Sequence, residues 1–204
     1  MVARRYPPDV RSGTETVFEA LYAEARRRHE VRLVVGWRTA RELVPPEAVA
    51  VELRGKGAAG YLAMEWAAAA EARRFKPDVV LSNSVEVAVP RVPTALIVHD
   101  LNFGKAGRDA GTAVREQLYR AQGRRVAAVV TVSEATKADL LRIGVPAERI
   151  TVIGNGVDIR RFVPRASRPL PAVAPKGMSL APQPPVRFVY PGRILPGKGQ
   201  HAAI

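Results

Sequence analysis

Short β-branched apolar runs recur along the chain, at residues 2–6, 31–37, 49–53, 78–82, 94–98, 126–132 and 150–153. Helix-patterned stretches separate most of them. In 14–28, Val17, Phe18, Leu21, Tyr22 and Ala25 fall on one face at helical spacing. An alanine-rich helix is predicted over 60–75 and stops before Pro77; another spans 108–125. Ser133 opens a fourth as its N-cap, and that helix ends at Gly144 before Pro146. The runs 31–37 and 126–132 are apolar nearly throughout, which suits strands covered on both faces of a parallel sheet. Strands joined by helices of this length fold through right-handed crossovers, so the pattern predicts an α/β fold: a Rossmann-like, doubly wound parallel sheet.

Such sheets bind ligands outside the carboxyl ends of their strands. The unusual polar groups of this chain fall there: Ser12-Gly13-Thr14, Asn83, His99-Asp100, Ser133 and Asn155-Gly156. Beyond them, residues 163–185 hold seven prolines and no predicted element, and read as a basic inter-domain linker or a surface excursion. A last apolar run, 186–190, feeds the loop Pro191-Gly192-Arg193-Ile194-Leu195-Pro196-Gly197-Lys198-Gly199. Glycines there let backbone N–H groups approach phosphates, and Arg193 and Lys198 would neutralise them. The expected division is therefore a first Rossmann-like domain at 1–162, the linker at 163–185, and the start of a second such domain at 186–204. The chain stops one turn into the helix that should follow, so a truncated second domain is expected.

Composition removes several classes. With no cysteine there is no disulfide framework, thiolate nucleophile or zinc finger, and the three histidines are too dispersed for a metal cluster. No apolar stretch reaches the length of a membrane span, and the first residues lack the core of a signal peptide, so a cytoplasmic protein is expected. The net charge of +13 is uneven: residues 159–204 hold eight Arg/Lys and no carboxylate, against 24 basic and 19 acidic residues before them. Such a tail suits polyanionic substrates, anionic lipid or nucleic acid, and an arginine-rich composition would produce it without any of these.

Each polar constellation carries two readings. Gly192-x4-Gly197-Lys198 approaches a P-loop, but Gly199 stands where Ser or Thr should hold Mg²⁺. Ser12-Gly13-Thr14-Glu15 opens a helix and serves either as an anion site or as a plain N-cap. His99-Asp100 ends a strand, where the imidazole either meets a sugar hydroxyl or is satisfied by backbone. Asn155-Gly156 reads first as a tight turn that tolerates positive φ. No glutamate has a second eight positions on, and Gly-x-Ser-x-Gly is absent.

Taken in order, these segments resemble the retaining, two-domain nucleotide-sugar glycosyltransferases of family 4, of the GT-B fold. The likeness is carried by Arg5-Tyr6-Pro7-Pro8 through Ser12-Gly13-Thr14-Glu15, by Val98-His99-Asp100, and by Gly192-Arg193 with Lys198-Gly199. Its most specific part is Val132-Ser133-Glu134-Ala135-Thr136-Lys137 running into Ile153-Gly154-Asn155-Gly156-Val157-Asp158 and Arg161-Phe162-Val163-Pro164. The resemblance implies a sugar moved with retention from a nucleotide-diphosphate-sugar donor to a glycan, lipid-linked or small-molecule acceptor. It implies no cofactor and no metal. His99 would meet the donor sugar as the catalytic-site residue, and Arg193 and Lys198 the diphosphate. Gly13 and Thr14 would face the same phosphates or the acceptor, with Asp100, Ser133 and Asn155 as further substrate-binding positions.

Three departures from that family stand out. The first strand lacks opening residues, the proline-rich segment is unusually long and basic, and the family's Glu-x7-Glu donor element is missing. Little or no activity is expected of these 204 residues alone. The basic tail is compatible with peripheral attachment to an anionic membrane. The alternatives are a non-catalytic remnant and a basic nucleic-acid-binding module. Nucleic acid is not expected as a partner, because no helix-turn-helix or RNA-recognition pattern is present.

Overall fold

A computed structural model of the chain describes residues 1–7, 12–38, 41–53, 58–87, 89–101 and 110–160. The linker, the glycine-rich loop, Arg193 and Lys198 lie outside the described residues, as does the expected second domain. The chain divides into a unit Met1–Val157 and a unit Asp158–Ile204, of which only 158–160 are described.

The first unit is a seven-stranded sheet in the order β3-β2-β1-β4-β5-β6-β7. Its strands are β1 (Val2–Ala3), β2 (Val34–Trp37), β3 (Val49–Glu52), β4 (Val80–Ser82), β5 (Thr94–Val98), β6 (Ala128–Thr131) and β7 (Ile150–Val152). Every pairing is parallel, as the apolar runs predict. The helices are α1 (Gly13–Ala25), α2 (Ala58–Phe75), α3 (Ala110–Arg125) and α4 (Glu134–Arg142). From β1 the chain moves one way to β2 and β3, then returns across β1 to β4 and continues the other way. The strand order thus reverses between β1 and β4, and a crevice at their carboxyl ends is the favoured ligand position of such a sheet.

Alternation along the strands sends one set of side chains to each face. On one face Ala3, Val35 and Ile97 meet Phe18 and Tyr22 of α1. On the other, Val2, Val34 and Val80 meet Met64 and Ala68 of α2. Leu96, Val98 and Val129 share that second face and pack with Leu140 of α4 and with Leu118 and Tyr119 of α3. Phe18, fully buried, is a fixed point of the first face; burying a side chain of its size stabilises by about 1.5–3 kcal/mol.

Most strands are shorter than their apolar runs. Residues 31–33 are apolar in part but unladdered, because β1 offers β2 partners only at Val2 and Ala3. The helix at 134–144 closes two residues early, with Gly144 at φ +88, a left-handed conformation that glycine adopts without strain. Gly36 of β2 is required for a different reason. A Cβ there would sit 2.6 Å from the Arg4 carbonyl oxygen, so the segment leaving β1 lies too close to β2 for any side chain.

Candidate functional site at the carboxyl edge

Three elements converge at the end of β5. His99 follows Val98, and the capping segment of α4 is tied to it: Thr136 Oγ1 donates to the His99 carbonyl at 3.3 Å. Ser133 Oγ accepts from the Thr136 backbone N–H at 3.2 Å and lies 3.0 Å from its hydroxyl. Ser133 is therefore the N-cap that its sequence position predicts, and its oxygen is engaged within the fold. From the other face, Glu15 in the first turn of α1 comes near enough for its charge to act on the His99 imidazole.

The N-terminus of α1 is built differently. Ser12 is its extended N-cap residue, but its hydroxyl donates to the Glu15 carboxylate and does not cap a backbone N–H. The first-turn N–H groups, which have no partner inside a helix, are thus not capped by that side chain. Gly13 is exposed, and a Cβ on it would meet nothing within 4 Å. Its lack of a side chain answers no packing need of the described residues and leaves room above the helix end.

His99 is half-buried, and its Nε2 is buried with no hydrogen-bond partner among the described residues. Burial pushes its pKa below the ordinary imidazole value, while Asp100 and Glu15 pull the other way without overcoming it. Burial thus favours the neutral ring, which can donate from one nitrogen and accept at the other. The geometry thus places a neutral imidazole between an open helix N-terminus and a capped one.

A second polar group beside this edge had no sequence signal. Arg4, just past β1, lies with its guanidinium 4.1 Å above the Tyr61 ring, and its Nε is 3.9 Å from Glu86 Oε1. Glu86 is 6% exposed, and burial raises its pKa. Gln122 Nε2 donates to the Glu86 carbonyl at 3.3 Å, leaving Gln122 Oε1 and Glu86 Oε1 buried without hydrogen bonds. Burial pushes the Tyr119 phenol up to about 12, with Asp100 and Glu86 adding to the shift. Asp100 therefore couples the His99 end of β5 to this cluster. Ser84 completes it by accepting from the Arg4 N–H at 2.7 Å. Residues 82 positions apart are joined here only because β1 and β4 are neighbours.

Asn155-Gly156 departs from its reading as a tight turn. Gly144, Lys76 and Arg91 are the described residues with positive φ; Asn155 and Gly156 are not among them. Both are exposed, in an irregular stretch that follows β7. The described residues hold no group of three His, Asp or Glu placed to share a metal ion, and no described helix is long and apolar enough to cross a membrane.

Comparison with known proteins bears on this edge. Among solved structures, HepE of Anabaena in complex with UDP and glucose aligns with a TM-score of 0.54 at 18% identity, over 78% of this chain and 46% of that one. Its complex with UDP-glucose gives 0.56 at 16% identity, over 78% and 44%. A UDP-N-acetylglucosamine 2-epimerase from Rickettsia bellii gives 0.53 at 13% identity, over 76% and 43%. These likenesses bear on the fold alone, and the chain spans less than half the length of each of these proteins. No curated protein sequence matches the chain. The family model for Glycosyltransferase Family 4 matches residues 11–161, well over half of the chain and all of the edge from Ser12 to Asn155, and the chain belongs to that family.

Proposed function

We propose that this chain supplies the acceptor-side domain of a retaining glycosyltransferase, which moves a sugar from a nucleotide-diphosphate-sugar donor to a glycan, lipid-linked or small-molecule acceptor. The observation that carries the reading is the His99 imidazole, its Nε2 buried and without a hydrogen-bond partner among the described residues, between the end of α1 that Ser12 leaves uncapped and the capped end of α4. A neutral ring can share a hydrogen bond with a sugar hydroxyl without placing a second cation beside the positive charge that develops at the anomeric carbon. Uncapped amides at Gly13 and Thr14 favour an anion at the same edge.

In this reading Arg193 and Lys198 neutralise the departing diphosphate, in place of a metal ion. Asp100 and Asn155 are further substrate contacts. Ser133 keeps its assigned place at the site, but acts by fixing α4 against His99. UDP-glucose is the natural first donor to try, because the Anabaena neighbour was solved with it. Peripheral contact with an anionic membrane belongs to the same proposal.

Turnover tests it. Release of nucleoside diphosphate from a panel of nucleotide sugars, with acceptors of the three classes, is measured for the 204-residue chain and for any longer product of its reading frame. The longer product is expected to turn over a donor and the 204-residue chain to stay near background. Robust turnover by the latter would sink the expected inactivity, and no turnover by either would sink the transferase reading.

A further inference from the structure

Helix α2 is apolar on both sides. Met64 and Ala68 face the sheet, while Leu62 and Trp66, one turn apart on the opposite side, are 64% and 73% exposed. A surface helix ordinarily sets charged residues on its outer face, and a helix apolar all round is ordinarily buried. Neither holds here. The exposed residues of α2 whose side chains are described are Ala59, Leu62, Trp66, Arg73 and Arg74; the carboxylates of the helix, Glu65 and Glu71, are half-buried.

Helix α3 covers the same sheet face and repeats the pattern. Its Val114 is 60% exposed, and Arg115, Arg120, Arg124 and Arg125 are exposed beside it. Its one carboxylate, Glu116, is half-buried. The described outer surface of the two helices therefore holds three large apolar side chains and six arginines, with no exposed carboxylate. Composition alone does not explain this, because α1 exposes Glu19 and Glu24, and α4 exposes Glu134 and Asp139.

The apolar side chains and the arginines share one surface. In a parallel α/β sheet the helices begin at the carboxyl edge and run back along the strands. Leu62 and Val114 lie in the first halves of their helices and Trp66 midway along α2; Arg115 neighbours Val114, Arg120 lies further along α3, and Arg73, Arg74, Arg124 and Arg125 close the last turns. Leu62 to Arg73 is about 16 Å along the axis. An exposed apolar strip that includes one large aromatic, flanked by arginines, matches a bilayer interface with anionic headgroups.

Charge argues against the other occupants. A second copy docking face to face would set arginine against arginine. Residues 161–204 of the chain carry seven Arg/Lys and no carboxylate, so their charge offers no match to this surface. A nucleic-acid backbone would match the arginines but has no use for exposed Leu62 and Val114.

We propose that the outer face of α2 and α3 docks on an anionic lipid bilayer, with Leu62, Trp66 and Val114 entering the interface and the arginines lying on the headgroups. The carboxyl edge with His99 is then brought to the membrane surface, which selects the lipid-linked class among the acceptors. This rests on the peripheral-membrane part of the function proposed above.

The test is co-sedimentation of the full chain with vesicles of phosphatidylcholine containing roughly one-third phosphatidylglycerol, against phosphatidylcholine alone, at ~0.1 M salt. The chain is expected to bind the anionic vesicles, with Leu62→Ser/Trp66→Ser and Arg73→Ala/Arg74→Ala each roughly tenfold weaker. Both pairs are exposed, so the melting temperature should stay within about two degrees, which separates lost docking from lost folding. Tryptophan emission should shift to the blue on anionic vesicles, and Trp66→Phe should remove that shift, leaving Trp37 of β2 unmoved. Equal binding by wild type and the Leu62/Trp66 variant overturns the proposal and moves the attachment elsewhere in this basic chain. Unshifted Trp66 emission on saturating vesicles overturns it too, as does tighter binding to a single-stranded RNA oligonucleotide than to the vesicles. Vesicle binding with no transferase turnover refutes the catalytic reading and leaves the docking standing; turnover with no vesicle binding does the reverse.

Discussion

Two helix N-termini flank His99, and they are built to opposite ends. At α4, Ser133 caps the backbone and Thr136 carries the connection on to the His99 carbonyl, so the polar groups there are consumed in holding the fold. At α1, Ser12 turns to Glu15 and leaves the first turn uncapped, and a Cβ on Gly13 would meet nothing within 4 Å among the described residues. Both read as caps in the sequence, yet one is closed and the other open. A closed N-terminus positions; an open one retains its positive end for an anion. The difference separates which of the predicted site residues touch substrate from which hold others in place.

The strongest way to break this comparison is to remove what lies between. His99→Ala should lower kcat roughly a hundredfold in the turnover assay, with little change in melting temperature. A loss under threefold would mean that the imidazole serves the fold and not the reaction. Gly13→Asp comes next. The new Cβ meets nothing and the carboxylate suits a helix N-terminus, so stability should hold or rise by a few tenths of a kcal/mol. The same carboxylate occupies the anion position, and KM for the nucleotide sugar should rise about tenfold, near 1.4 kcal/mol. An unchanged KM would make the open end of α1 a bystander. Ser133→Ala is the structural counterpart: about 1 kcal/mol of stability lost, read by denaturant unfolding, with KM for the donor unmoved. A KM effect without a stability effect would reverse the assignment of the two helix ends.

How much of this was legible in the sequence follows from what each signal measures. Apolar runs report burial, so the strands and their parallel sense were readable from runs such as 31–37, 94–98 and 126–132, whereas their order in the sheet was not. Strand length was not, because pairing depends on the neighbour: β1 ladders only Val2 and Ala3 with β2, so 31–33 lie outside the ladder however apolar they are. Ser133 was readable as a cap because capping is local. Thr136 and Glu15 were within reach, each three residues past a capping serine at the spacing of a capping box. Arg4 with Glu86 was beyond reach, since only the adjacency of β1 and β4 brings them together. The exposure of Trp66 was beyond reach too, because the sequence of an alanine-rich helix does not mark which side faces the sheet.

The smallest expected effect concerns protons, and it asks whether His99 is held as tightly as its two flanking helices imply. Burial lowers its pKa in the folded chain below the ordinary 6.5, so below that value the unfolded chain binds the proton more readily. Stability should therefore fall as pH drops through 6.5 and continue to fall until the depressed folded pKa is reached. Glu86 acts with the opposite sign in a lower window. Burial raises its pKa above the ordinary 4.5, so the folded state binds its proton more readily, and stability declines as pH rises from 4.5 towards the raised value. The two can be separated by substitution. His99→Gln should flatten the slope just below pH 6.5 and leave the lower one, whereas Glu86→Gln should do the reverse, each changing the melting temperature on the order of 1–2 °C across its window. If His99→Gln leaves the upper slope intact, the imidazole is not desolvated in solution, and the end of β5 is looser than the Thr136 tether requires.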